Sequence, residues 1–195
     1  MKLAALLGAC LLVGGCAAEV EPPAVDVDTA ELRAQKSQAG IEDCEPGQEA
    51  PYDGKDALPA ITLPCLGGGP AVRLDELRGP LVINLFAQWC GPCREELPLY
   101  QRLHEQGGRE VRVLGIDWND TQPGAALALA EETGVTFPLL ADASGALTPE
   151  FRIRGLPGIV FVDESGAMAT EAQFTVIRDY EQLTDLVRKH LGVAL

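Results

Sequence analysis

Positive charge is scarce in this chain: 15 Lys and Arg stand against 29 Asp and Glu, a net charge of −14 over 195 residues. Nucleic acid is excluded as a partner on that ground, because a chain of this sign gains nothing from counterion release on phosphate. Histidine is scarcer still, with only His104 and His190. Zinc closed tetrahedrally on a cysteine pair needs two further ligands at suitable spacing, and the chain has neither a paired-histidine motif nor a second C-x-x-C, so no metal is expected. The apolar run that opens the chain, Leu3 to Val13, is also short. As a helix it would reach about 17 Å at ~1.5 Å per residue, against a hydrocarbon core of ~30 Å. No internal repeat is visible. Gly67–Gly69 is followed by Pro70 and a strand-like stretch, not a helix start, so it reads as a turn and not as a phosphate cradle.

What is present begins with a leader. Lys2, the apolar run and small residues read as a secretory signal over 1–15, and Val13-Gly14-Gly15-Cys16 resembles a bacterial lipobox, with Cys16 the lipidated residue and the protein held to a membrane surface. Residues 16–43 read as an acidic linker. It carries Pro22-Pro23 and then a short helix, capped by Asp28 or Thr29 and ending at Gly40. The globular domain is expected over 44–195. Export matters for every later thiol, because outside the cytoplasm disulfides persist unless something reduces them.

The domain reads as α/β. AITLP and PAVRL are short strands around the CLGGG turn, a hairpin-like opening. PLVINLFA, 80–87, is a nearly unbroken apolar run, as expected of a central strand covered on both faces. A helix follows from the cysteine pair to about Gln106, with Pro98 inside it. REVRVLGID reads as a strand, PGAALALAEETG as a helix closed by Gly134, FPLLA as a strand, TPEFR as a short helix and GIVFVD as a strand. After a turn at Ser165-Gly166, AMATEAQFTV is expected to complete the sheet. The last helix, DYEQLTDLVRKHL, puts Leu183, Leu186, Val187 and Leu191 on one face.

Six cysteines stand at 10, 16, 44, 65, 90 and 93. Cleavage before Cys16 removes Cys10, and lipid occupies Cys16. The four left can pair in three ways, and the tight 90/93 spacing leaves Cys44 with Cys65. That second pair is read as a structural disulfide; a second exchanging pair or free thiols are the alternatives.

Two thiols two residues apart, where a buried strand gives way to a helix, suit disulfide exchange. Cys90 at the helix N-terminus meets unsatisfied N–H groups and the positive end of the dipole, which favour its thiolate and make it the nucleophile. Cys93, one turn inward, is placed to resolve the mixed disulfide. Gly91 and Pro92 fill the turn, and Pro92 has no N–H to leave unsatisfied. Glu96 lies at i+3 from Cys93, on the same helix face, where a carboxyl could relay the proton that Cys93 must lose; an exposed carboxylate is the plainer reading. Trp89 is read as docking surface and Trp118 as loop packing. Asp117 and Asp120 are too sparse for a metal site, and His104 and His190 read as ordinary surface residues.

LVINLFAQWCGPCREELP, 81–98, is similar to the active-site segment of the TlpA/ResA family of exported thiol-disulfide oxidoreductases. Pro98 matches the family's helix-kink proline, Asn84 the position where cytosolic thioredoxins have a buried aspartate, and Glu96 a glutamate near the active-site pair. RIRGLPGIVFVDESGAM resembles the later loop whose cis-proline, here Pro157 after Leu156, lies beside the cysteines and receives the substrate backbone. Gly158 departs from the family's common threonine. The resemblance covers about residues 58–191. It implies a thioredoxin-like fold, a central mixed β-sheet flanked by helices with an added N-terminal β-hairpin. It also implies a monomer whose redox group is the Cys90–Cys93 disulfide, with no further cofactor.

The leading expectation is therefore an extracytoplasmic reductase of disulfides in exported client proteins, resupplied with electrons by a DsbD/CcdA-type membrane protein. Reduced client cysteines are also what haem attachment to cytochrome c and copper-site assembly need. An oxidase or isomerase, a thiol peroxidase, and a non-enzymatic copper or apocytochrome carrier are the alternatives.

Overall fold

The computed structural model describes residues 25–195 apart from Gln48. The expected signal, Cys10 and the expected lipidation site Cys16 lie outside the described residues. Among the described residues no helix is long and apolar enough to cross a membrane.

The first element is α1 (Ala30–Ala39). Its N-cap is Thr29, whose Oγ1 accepts the Leu32 N–H at 3.3 Å, and Gly40 closes it at φ 70°. Two strands of two residues, β1 (Thr62–Leu63) and β2 (Val72–Arg73), pair antiparallel as the expected hairpin. Then come β3 (Leu81–Phe86), α2 (Gly91–Gly107), β4 (Arg112–Trp118), α3 (Pro123–Thr133), β5 (Leu139–Asp142), α4 (Leu147–Phe151), β6 (Gly158–Val162) and α5 (Tyr180–Leu191). The main sheet runs β5-β4-β3-β6, parallel except for β6. Every residue of β3 is buried, which is why its sequence lacks the alternation of a half-exposed strand.

Strand alternation sorts β3 between two cores. Val82 and Phe86 join Cys93, Leu97, Tyr100, Leu127 and Leu183 on the face covered by α2, α3 and α5. Leu81, Ile83 and Leu85 join Leu63, Cys65, Leu140, Phe151 and Val160 on the other. The period of two places Asn84 on the α2 side, a single amide in a strand of hydrocarbons. On α5 the expected apolar face is realised, with Leu183 and Val187 buried and Leu186 and Leu191 packed at its margin.

Two stretches pack differently from expectation. AMATEAQFTV forms no strand: its ladder pairing with β6 is limited to the isolated bridges Val162–Met168 and Ile159–Gln173, with bends at residues 169–171 between them. The segment read as linker is not free of the domain over residues 25–43. Val27, Leu32 and Ile41 are buried in the α2-side core, and the Gln35 amide donates to Gly124 O at 2.8 Å. So few apolar residues, spaced among acids and glutamines, gave no visible amphipathic signal.

Cys44 and Cys65 are joined by a disulfide, and both are buried. Its sequence separation of 21 corresponds to about 3 kcal/mol in the chain-entropy model. Cys65→Ser is therefore expected to lower the unfolding free energy by about that amount in urea titration, with the main domain's circular dichroism retained.

Candidate active site

At the end of β3 the chain leaves the sheet through Ala87–Trp89 and turns into α2. Cys90 is the N-cap (φ −86°, ψ 101°): its N–H donates to Ala87 O at 3.1 Å, and its Sγ accepts the Cys93 N–H at 3.2 Å. That donor would otherwise be one of the unsatisfied amides of the helix start, so the cap is occupied by the atom that carries the thiolate charge. Cys90 and Cys93 form a disulfide; Cys90 is 5% exposed and Cys93 is fully covered. An incoming thiol or disulfide thus meets Cys90 first. Gly91 and Pro92 are exposed over the turn.

Trp89 is 52% exposed, the most open large apolar side chain among the described residues. It leans on Trp118 at the end of β4, ring centroids 6.4 Å apart and tilted 59°. The Leu156–Pro157 bond is cis, as expected, and the register that pairs Gly158 with Leu85 brings Pro157 to the end of β3 from which the Cys90 loop springs. Gly79–Pro80 is also cis, which no sequence signal announced. Gly158 has a local cause: a Cβ there would stand 2.9 Å from the Phe174 ring and 3.1 Å from Leu85.

Glu96 is not an exposed carboxylate. It is completely buried; Oε1 accepts the Ile177 N–H from the segment that crosses α2 before α5, and Oε2 has no partner. Burial pushes its pKa up to about 7, opposed in part by that hydrogen bond. A carboxyl poised near neutrality on the helix face of Cys93 is suited to take and return a proton there. Two further unpartnered polar groups share this core, the Asn84 amide and the Tyr100 hydroxyl, whose ionisation burial and the Glu96 charge oppose.

Asp120, too sparse in the sequence for a metal site, has a role under the active-site loop. Its Oδ2 accepts the Gln88 N–H at 2.9 Å, two residues before Cys90, and its Oδ1 accepts the Gln122 N–H at 2.8 Å. The second bond is a local turn that the sequence could have suggested; the first joins residues 32 apart and could not be seen. Asp117, also buried, has its pKa raised to about 9, by burial first and then by the charge and hydrogen bonding of Asp120 and the charge of Asp142. Asp120→Asn is accordingly expected to move the Asp117 midpoint downward, read by carboxyl carbon NMR titration. The histidines are more engaged than expected: His104 meets Glu42 at 3.1 Å, and His190 stacks on Phe161 at 4.8 Å. Among the described residues no three His, Cys, Asp or Glu side chains come together as a metal site.

Residues 55–170 match the sequence profile of the AhpC/TSA family. The chain is 32% identical over 137 residues to a thiol:disulfide interchange protein DsbE homolog of Paracoccus denitrificans, covering 68% of this chain and 69% of that protein. It is 25% identical over 154 residues to the thioredoxin-like protein YneN of Bacillus subtilis, covering 77% and 84%. Against the thiol:disulfide interchange protein HelX of Rhodobacter capsulatus it is 33% identical over 119 residues, covering 60% and 65%. In fold it is similar to a secreted Mycobacterium tuberculosis disulfide oxidoreductase, with a TM-score of 0.58 at 21% identity, covering 67% of this chain and 96% of that one.

Proposed function

The chain belongs to the AhpC/TSA family, and from that premise we propose that it is an extracytoplasmic thiol-disulfide oxidoreductase that reduces disulfides in exported client proteins. One observation carries the reading: Cys90 caps α2 with its sulfur on the Cys93 N–H, reachable from the surface, while Cys93 lies behind it. The names of the relatives, thiol:disulfide interchange proteins, support the same chemistry.

In this reading the Cys90 thiolate attacks a client disulfide and forms a mixed disulfide; Cys93, losing its proton to Glu96, attacks Cys90 Sγ and releases the client as a dithiol. The product is the Cys90–Cys93 disulfide, and no further cofactor takes part. The Trp89–Trp118 pair, with Gly91, Pro92 and the Leu156-Pro157 turn, forms the surface on which the client lies. The Gly-Pro dipeptide between the cysteines, as in reducing thioredoxins, supports the reducing direction. A membrane donor of the DsbD/CcdA type restores the dithiol, and a lipid on Cys16 holds the protein at the membrane where that donor is. Clients include proteins whose cysteines must be reduced before haem or copper is attached.

The test is insulin reduction by the full chain with dithiothreitol as electron source, run beside copper loading and dialysis. Turnover that disappears in Cys90→Ser, with no copper retained, is expected. Copper held at one per chain without turnover would assign the protein to the carrier class. Hydrogen peroxide turnover that survives Cys93→Ser but not Cys90→Ser would make it a peroxidase.

A further inference from the structure

A second sulfur pair, away from Cys90, has a buried cation against it. Lys36, in the last turn of α1, points inward with its side chain 5% exposed. Its Nζ donates to Gly68 O at 2.9 Å and to Asp43 Oδ1 at 2.9 Å, and its third direction meets Cys65 Sγ at 3.4 Å. Lysine is almost never covered unless it is paired, and here one partner is a disulfide sulfur, which carries no charge.

The triple glycine singled out in the sequence makes this possible. Gly67 has φ 76°, and a Cβ on it would stand 2.8 Å from Lys36 Cβ; Gly69 has φ 121°, and a Cβ on it would rest 3.5 Å from Cys65 Sγ. The turn wraps an ammonium and a sulfur, not a phosphate. At the other end of the bond, Cys44 Sγ is 3.3 Å from Leu139 O. An oxidised pair has no S–H to give that carbonyl and no negative charge to give that ammonium. A reduced pair has both: a thiol at Cys44 with an acceptor in place, and a thiolate at Cys65 with its counter-charge in place.

We propose that Cys44–Cys65 is a second redox-active disulfide, reduced by a dithiol of another molecule, with Lys36 holding the Cys65 thiolate that departs. The attacking thiolate bonds to Cys44 Sγ as the Cys44–Cys65 bond breaks, and the electron pair stays on Cys65 Sγ. The reductant's second thiol then attacks the mixed disulfide and gives its proton to Cys44, whose S–H points at Leu139 O. The reductant leaves as a disulfide, two electrons poorer. Cys65 bridges to Leu140 of β5, the edge strand two places from β3, so this pair is separate in the sheet from the site at Cys90. Both sulfurs are covered, and exchange waits on opening of the glycine turn; Lys36 acts on the equilibrium. The charged groups facing the pair are Lys36, its partner Asp43, and the Arg33–Asp28 ion pair beside Gly68, while β5 presents Leu139 and Leu140. Reduction cuts the disulfide cross-link that ties the segment after α1 to the hairpin.

The inference does not rest on the client-reducing role, and its test uses only a small dithiol. The full chain is equilibrated in graded dithiothreitol buffers, alkylated, and its cysteines resolved by peptide: Cys44 within residues 37–55, Cys65 within 56–73, and Cys90 with Cys93 within 79–94. We expect Cys44–Cys65 to open while the chain stays folded, and reduced Cys65 to alkylate with a midpoint below the ordinary thiol value of ~8.5. Lys36→Met should disfavour reduction about tenfold, ~30 mV for a two-electron couple, and raise the Cys65 midpoint, with Lys36→Arg restoring both. A pair that opens only as the protein unfolds overturns the proposal. So does a Cys65 midpoint at or above the ordinary value, which needs no variant to measure, or an equilibrium unchanged in Lys36→Met.

Discussion

Cys93→Ser is expected to stop the reaction halfway, with Cys90 held in a mixed disulfide to its client. Cys90 is the sulfur at the helix N-terminus and the less covered of the two; Cys93 is fully covered and serves to break the bond that Cys90 forms. Removing the inner thiol leaves attack intact and deletes release. Cys90→Ser removes attack itself, because a serine hydroxyl stays protonated where a capping thiol ionises, and turnover should fall on the order of 10³-fold or more. Non-reducing electrophoresis and intact mass after mixing with a disulfide-bonded protein check both: a covalent adduct from Cys93→Ser, none from Cys90→Ser.

Glu96→Gln is expected to have the second largest effect and to show it in two separate measurements. The folded carboxyl titrates near 7 because it is buried, whereas in the unfolded chain it titrates at its ordinary value near 4.5. Between those values the folded protein binds a proton that the unfolded one has lost, so stability falls as pH rises across the window. The ionised form at pH 8 costs about 3 kcal/mol relative to the protonated form, from ~1.4 kcal/mol per pKa unit. Glutamine keeps an acceptor for the Ile177 N–H and carries no charge. The variant should therefore be more stable than the parent at pH 8, by up to about 3 kcal/mol, and should show little difference at pH 4.5. Because it has also lost the proton acceptor for Cys93, release of the mixed disulfide should slow about 10²-fold and lose its inflection near pH 7, read by stopped-flow tryptophan fluorescence. Unaltered release with raised stability would assign Glu96 a merely packed role.

The parts of the molecule that were legible in advance were those written in consecutive residues. The unbroken LVINLF gave β3, the short strands around the glycine turn gave the hairpin, and Gly40 with a cap at Asp28 or Thr29 bracketed α1, Thr29 being the cap. The spacing of Cys90 and Cys93 at a strand-to-helix turn carried the chemistry, and the likeness of the RGLPG loop carried the cis bond at Pro157. What escaped was made by contacts between distant residues. Asp120 holds Gln88 across 32 residues, Ile177 meets Glu96 across 81, and Lys36 reaches Cys65 across 29. Asp120 and Lys36 look like ordinary surface polar groups in their own neighbourhoods, and their contacts exist only after the chain has closed on them; for Glu96 the spacing to Cys93 was readable, but its burial under Ile177 was not. The strand expected after Gly166 failed for the opposite reason: its local pattern was extended, but the chain bends between its two bridges to β6.

The direction of electron flow is the centre of the proposed function, and the reduction potential of Cys90–Cys93 measures it most directly. Equilibrating the full chain with redox buffers and quantifying the peptide spanning residues 79–94 gives that value without any client. The account predicts a reducing couple, in the range of about −200 to −270 mV spanned by glutaredoxins and thioredoxin. A value near −120 mV, where strong oxidants such as DsbA lie, would contradict it and make the same two cysteines a source of disulfides.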